Sequence, residues 1–281
     1  MIDRDMRRRT VDRVARGACL AATLIAVIPL FSVLFYIGSR GAFGLHLDFF
    51  SHLPAPVGEK GGGMGNALLG SALLVLFASA ISVPMGVLAG IYLAEFGTGQ
   101  VARAVRFGAD VMSGIPSITV GIFIYTLVVL RTRHFSLLAG GLALAVLMVP
   151  TVTRATEEML RLVPTSLREA GLALGAPRWK VIVKIVLRTG FGGIVTGVML
   201  AMARAAGETA PLLFTAFNNR FWSASLEKPV ASLPVQIFTF AISPYEEWHD
   251  QAWTAALVLL VFVLLVNVAA RTIAHWKRGY R

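Results

Sequence analysis

Long apolar stretches separated by short charged segments dominate this chain. Residues 17–38 form an apolar run of about the twenty residues that a bilayer-crossing helix requires. Further apolar runs follow at about 66–94, 109–130, 136–153, 190–217 and 251–270. The pattern predicts an all-α membrane protein with six transmembrane helices. A basic tail (1–16) precedes the first span, and a second short tail (272–281) closes the chain. Residues 66–271 then form the main transmembrane unit, interrupted between the fourth and fifth spans by a basic amphipathic segment, 154–189.

The segments between spans carry their own signals. Residues 39–65 are rich in Gly and Pro and turn the chain back into the membrane. Gly61-Gly62-Gly63 imitates a phosphate loop but lacks the Gly-Lys-Ser/Thr ending, so it makes no nucleotide-binding loop. No small-x-small cleavage site follows the first span, which therefore reads as an uncleaved anchor. Gly114 and Pro116 interrupt the third span, where Pro breaks a helical hydrogen bond. Such interruptions are tolerated where protein or a water-filled cavity covers the backbone, which fits a packing kink or a pathway lining. Between the last two spans, Leu233–Ile242 reads as a short interfacial helix bounded by Pro234 and Pro244.

Composition agrees with a membrane protein. Apolar residues make up 56% and charged residues only 15%, and the mean hydropathy is +0.72, against about a quarter charged in soluble domains. The net charge of +11 in a chain this apolar points to membrane topology and not to nucleic acid. With both ends inside, most Lys and Arg fall in the two tails, at Arg103 and Arg106, and in 154–189. Only Arg40, Lys60, Arg131, Arg133, Arg220 and Lys228 lie in external segments. This asymmetry predicts cytoplasmic N and C termini. The lone cysteine, Cys19, excludes an intrachain disulfide and reads as a small packing residue.

Within 154–189, Ser166 followed by Glu169 is a capping-box signature for a helix from Ser166 to Leu174. Leu167, Ala170, Gly171 and Leu174 make one small apolar face. Gly175 is a natural stop, and Pro177 suits the first turn of the next helix. The expected product is a helix-turn-helix with a low-relief face, suited to docking in another protein's groove.

Arg204 and Glu208 are charges inside the fifth span. Four apart, they share a helix face and can pair. Charges at membrane depth cost several kcal/mol unless they face a bundle interior or cavity. One reading is an ion pair that fixes packing. The other is a polar patch on a translocation path, in which Arg204 meets an anion, Glu208 holds the guanidinium between visits, and Thr209 adds a hydroxyl.

The docking segment resembles the coupling motif of bacterial ABC importer permeases: Glu-Ala-Ala, a Gly four residues on, then Ile-x-Leu-Pro. Glu169, Ala170, Gly175, Ile185 and Leu187 stand at the matching spacing. Gly171 replaces the second Ala and Arg188 the Pro. The run from Met202 to Thr215, with Gly207-Glu208-Thr209-Ala210-Pro211, resembles the hallmark of the PstA-type phosphate permease family, and Ser113–Ser117 matches that family's third-span motif. The resemblance implies a bacterial inner-membrane permease subunit without catalysis of its own. It further implies a PstC-type permease partner, two PstB-type ATPases carrying ATP and Mg²⁺, and a PstS-type external phosphate-binding protein. Glu169, Ala170, Gly171 and Gly175 would couple to the ATPase, while Arg204, Glu208 and Thr209 would line the pathway. No cofactor is expected on this chain.

Other features carry less. The five histidines form no His-Glu-x-x-His arrangement. Glu157 and Glu158, adjacent in sequence, read as a solvated face of the docking segment. Trp222, Trp248 and Trp253 suit an external interfacial belt. Rival readings are a permease for sulfate or molybdate, a membrane-embedded enzyme using Glu208 and a histidine, with Asp110 as the one candidate for the second acidic or metal-binding group it would need, and a stand-alone proton-coupled carrier, which would show internal repeats.

Overall fold

The computed structural model describes residues 2–56, 59 and 61–276. Lys60 and the tail residues Lys277, Arg278 and Arg281 lie outside the described residues. Among the described residues the chain is helical, with one isolated antiparallel bridge, Pro54 with Gly62. The helices are α1 (Ile2–Gly41), α2 (Leu47–Ser51), α3 (Gly65–Glu95), α4 (Gln100–Gly114), α5 (Ser117–Thr132), α6 (Leu137–Arg161), α7 (Thr165–Ala173), α8 (Arg178–Ala206), α9 (Ala210–Leu213), α10 (Leu233–Ala241) and α11 (Glu246–Trp276). By length and composition α1, α3, α6, α8 and α11 can each cross a membrane, and a sixth crossing arises if α4 and α5 count as one bent span.

Helices α3 and α6 form the centre, and small residues let them approach. A Cβ on Gly86 would lie 2.7 Å from Val152 Cβ, and one on Gly90 2.5 Å from Thr156 Cβ. In lipid, where apolar burial between helices brings little, such close contact drives helix association. Leu74, Ala78, Leu144, Met148, Val152, Ala205 and Leu212 fill this core. Helix α6 starts at Ser136, whose hydroxyl accepts from the Ala139 N–H at 3.1 Å. Helix α1 stands apart along most of its length, and its end meets α11 through Tyr36 against Trp253, edge-on at 4.9 Å.

The structure redraws several expected elements. The run at 109–130 is two helices, α4 and α5, bent by 102°. Gly114 ends α4, and Ile115 is extended (ψ 132°) because the Pro116 ring disfavours helix at the residue before it. The run at 190–217 stops at Ala206. Pro211, with no N–H and a ring that would strike the carbonyl four residues back, prevents α8 from continuing. Glu208 therefore lies beyond the helix, in a turn leading to α9. The short helix at Leu233–Ala241 forms and packs one face into the bundle: Leu233, Pro234, Val235, Gln236 and Phe240 are buried. Trp248 stacks on Phe240 at 4.5 Å and is buried too, which removes it from the expected belt. Cys19 is exposed on α1 and does not pack within the chain.

Candidate functional site: a helix-turn-helix end and a polar turn

The helix-turn-helix spans α7 and the start of α8. Pro164 (ψ 138°) sets the start of α7, so Ser166 falls inside the helix and the expected capping box gives way to a proline N-terminus. At the other end Gly175 is left-handed (φ +78°). Its N–H donates to Leu172 O at 2.9 Å and that of Ala176 to Gly171 O at 3.2 Å, a Schellman closure that only a residue without Cβ adopts cheaply. Pro177 caps α8 from just outside it.

The residues of the coupling motif do not share one face. Glu169, Ala170 and Gly175 are exposed, and Leu174 is 87% exposed. Gly171 is buried, and a Cβ there would lie 2.8 Å from Ile185 Cδ1 and 3.0 Å from Val181 Cγ2. Its missing side chain lets α7 lie against α8 of the same chain. The outward surface is apolar, with Leu172, Leu174 and Trp179 exposed beside Glu169.

Glu157 overturns the solvated reading. It is 1% exposed and sits among three arginines: Arg106 Nε at 2.6 Å, Arg161 Nη2 at 2.7 Å and Arg154 Nη1 at 3.2 Å. Arg154 also makes a two-pronged hydrogen bond to Asp110, with Nε 2.9 Å from Oδ1. Arg106 Nη2 reaches the carbonyls of Leu93 and Gly97 at 2.9 and 3.1 Å. One buried carboxylate thus joins α4 to α6, while Arg106 ties both to the end of α3. A second pair, Arg168 with Glu95, fastens α7 to the same end, Nη2 to Oε1 at 2.7 Å. Sequence reasoning missed both clusters, although Arg154, Glu157 and Arg161 at spacings of three and four are a legible helical triad.

The polar turn lies on another part of the bundle. Arg204, in the last turn of α8, is 64% exposed, and its Nε stands 3.8 Å from Glu208 Oε1, which is 17% exposed. The pair is an ion contact without a hydrogen bond at that distance. Thr209 precedes α9, and its carbonyl accepts from Leu212 and Leu213 at 3.1 and 3.3 Å. Helix α9 is pressed onto α5, where a Cβ on Gly121 would lie 2.6 Å from Pro211 Cα. The turn therefore presents one cation and one anion on a fixed backbone. Gly114 and Pro116 sit at the α4–α5 bend.

Solved structures share this fold. The chain superposes on a chain of the inward-facing MetNI methionine ABC transporter with a TM-score of 0.61, at 20% identity over 76% of this chain and 94% of that one. An amino acid ABC transporter with histidines gives 0.56 at 15% identity, covering 75% and 92%. Residues 86–278 match the family of binding-protein-dependent transport system inner membrane components. The chain belongs to that family and is a multi-pass protein of the bacterial inner membrane. It is 48% identical to the phosphate transport system permease protein PstA of Yersinia pestis, over 96% of this chain and 92% of that protein. Identity to the PstA of Xylella fastidiosa strain Temecula1 is 47%, over 95% and 93%, and to PstA 1 of Mycobacterium tuberculosis H37Rv 39%, over 95% and 89%.

Proposed function

We propose that this chain is the transmembrane permease subunit of an ATP-driven importer of inorganic phosphate. It forms half of the pathway and couples to a cytoplasmic ATPase. The observation that carries this reading is the likeness to PstA proteins along nearly the whole chain, with the exposed helix-turn-helix at the end where an ATPase would dock. The chain has no catalysis of its own; ATP and Mg²⁺ are bound and ATP is hydrolysed by a separate subunit. The other partners are a PstC-type permease, two PstB-type ATPases and a PstS-type binding protein outside the cell. Both termini and the arginine-rich end face the cytoplasm, in line with the excess of cations there.

In the cycle, closure of the ATPases moves α7, and the bundle switches access from one side to the other. The Arg204–Glu208–Thr209 turn meets the anion. An exposed guanidinium offers bidentate hydrogen bonds to an oxyanion, and Glu208 beside it weakens retention, because transport requires release as well as capture. Uptake of labelled phosphate in cells lacking their own importer tests this, with the chain and its partners expressed together. Uptake that sulfate or molybdate does not compete supports it. Saturable sulfate or molybdate uptake without phosphate uptake would keep the importer and reject the substrate.

A further inference from the structure

Besides the short link 162–164 from α6, helix α7 is tied to the rest of the bundle in two ways. One is α8, through the Gly175 turn and the seating of Gly171 on Val181 and Ile185. The other is a single side chain, Arg168. Its Nε lies 3.0 Å from Glu95 Oε1, with Nη2 2.7 Å from the same oxygen. The remaining donors reach two carbonyls at and just after the end of α6, Nη1 to Val163 O at 2.6 Å and Nη2 to Leu160 O at 2.9 Å, the second of which also accepts from the Val163 N–H. One guanidinium therefore joins the docking helix to the last turns of α3 and α6, the two helices at the centre of the fold. The end of α3 also holds the start of α8: Arg178 Nη2 donates to Glu95 O at 2.6 Å, and its guanidinium lies over the Phe96 ring, 4.6 Å from the centroid. Glu95 is nearly buried and Arg168 mostly so, which shields their attraction from water.

We infer that Arg168 is the positioning residue that carries the docking helix's motion directly into the α3–α6 pair, so that α7 and the end of α3 move as one body through the transport cycle. Lacking it, α7 would keep only its link from α6 and its seat on α8, with Arg178 still holding the start of α8 to the end of α3, and less of a push at its outer face would reach the core. Only a guanidinium reaches a carboxylate and two diverging carbonyls at once; a lysine nitrogen cannot span them. This inference rests on the proposed role as an ATPase-coupled permease.

The test uses the assembled complex. Cys19 is the only cysteine, so a Cys19→Ser background accepts spin labels through Leu88→Cys on α3 and Ser166→Cys on α7, both exposed. The expected label distance is the same with and without ATP when Arg168 is present, and broader in Arg168→Gln. In that variant ATP hydrolysis persists while phosphate moved per ATP falls about tenfold. Should Arg168→Gln fail to assemble, Glu95→Cys with Arg168→Cys replaces it, and a bis-maleimide bridge between the two is expected to restore transport per ATP. An ATP-dependent change of distance with Arg168 present would overturn the inference. So would an unchanged transport ratio in Arg168→Gln, or a bridge that leaves transport lost. A complex of the unsubstituted chain that hydrolyses ATP and moves no phosphate rejects the substrate reading instead, and the label distances still decide the clamp.

Discussion

Arg106 and Glu157, 51 positions apart, meet at 2.6 Å across the end of the bundle. The contact joins an amphipathic helix that bends away from its apolar partner to the central helix α6. Two more arginines complete the setting of Glu157, so its charge is compensated although it is almost without solvent.

Removing that carboxylate leaves three guanidinium groups facing one another. Breaking a buried ion pair by deleting one partner costs about 3–5 kcal/mol. Glu157→Ala is therefore expected to lower the thermal unfolding midpoint of the purified complex by about 10 °C. Glu158→Ala, at the exposed neighbouring position, should shift it little. Equal midpoints for the two variants would remove the hub from the account of this end.

Arg204 is exposed, so Arg204→Gln should leave stability within about 0.5 kcal/mol. Loss of a charged donor to an anion corresponds to about a 10- to 100-fold fall in uptake. Phosphate uptake at matched membrane levels reads this. A complex that falls apart would instead make the pair with Glu208 structural.

At Gly171 a graded response is expected. Ala meets the flexible tip of Ile185, which can turn aside, and should keep uptake. Leu has no room between α7 and α8 and should abolish uptake while membrane insertion stays normal. Full uptake in Gly171→Leu would show that α7 does not need this seat.

Gly121 faces backbone at Pro211, and backbone cannot turn aside. Gly121→Val should cost about 1–3 kcal/mol through overpacking and displace α9 with the turn that carries Glu208 and Thr209. The check is thermal unfolding together with uptake. A stable variant with normal uptake would mean that α9 need not touch α5.

The number and rough placing of the apolar segments, the glycine stop at Gly175 and the family were legible in the chain. Each depends on local composition or on spacing along one helix. Uninterrupted apolarity marks a span whatever surrounds it, and Gly175 ends a helix through its own φ. Where two locally reasonable elements adjoin, local rules ran out. The 109–130 run is apolar on both sides of Pro116, so hydropathy joined what a proline had divided into helices at a wide angle. The 190–217 run was likewise joined across Pro211, and Glu208 was read as helical when it lies in a turn.

The charges divide the same way. Arg106, Glu157, Arg168 and Glu95 count identically in any sum of loop charge, and their partners stand 51 and 73 positions away. From sequence alone, Glu157 beside Glu158 was a solvated face and Gly171 part of an outward one. Residue type and period determined that this chain crosses a membrane, that its third apolar run is interrupted at Pro116 and that a helix-turn-helix lies between its fourth and fifth spans. Only the tertiary structure decided which carboxylate would be buried, because burial is set by the helix that arrives from elsewhere, and a charge there persists only where that helix brings its counter-charge.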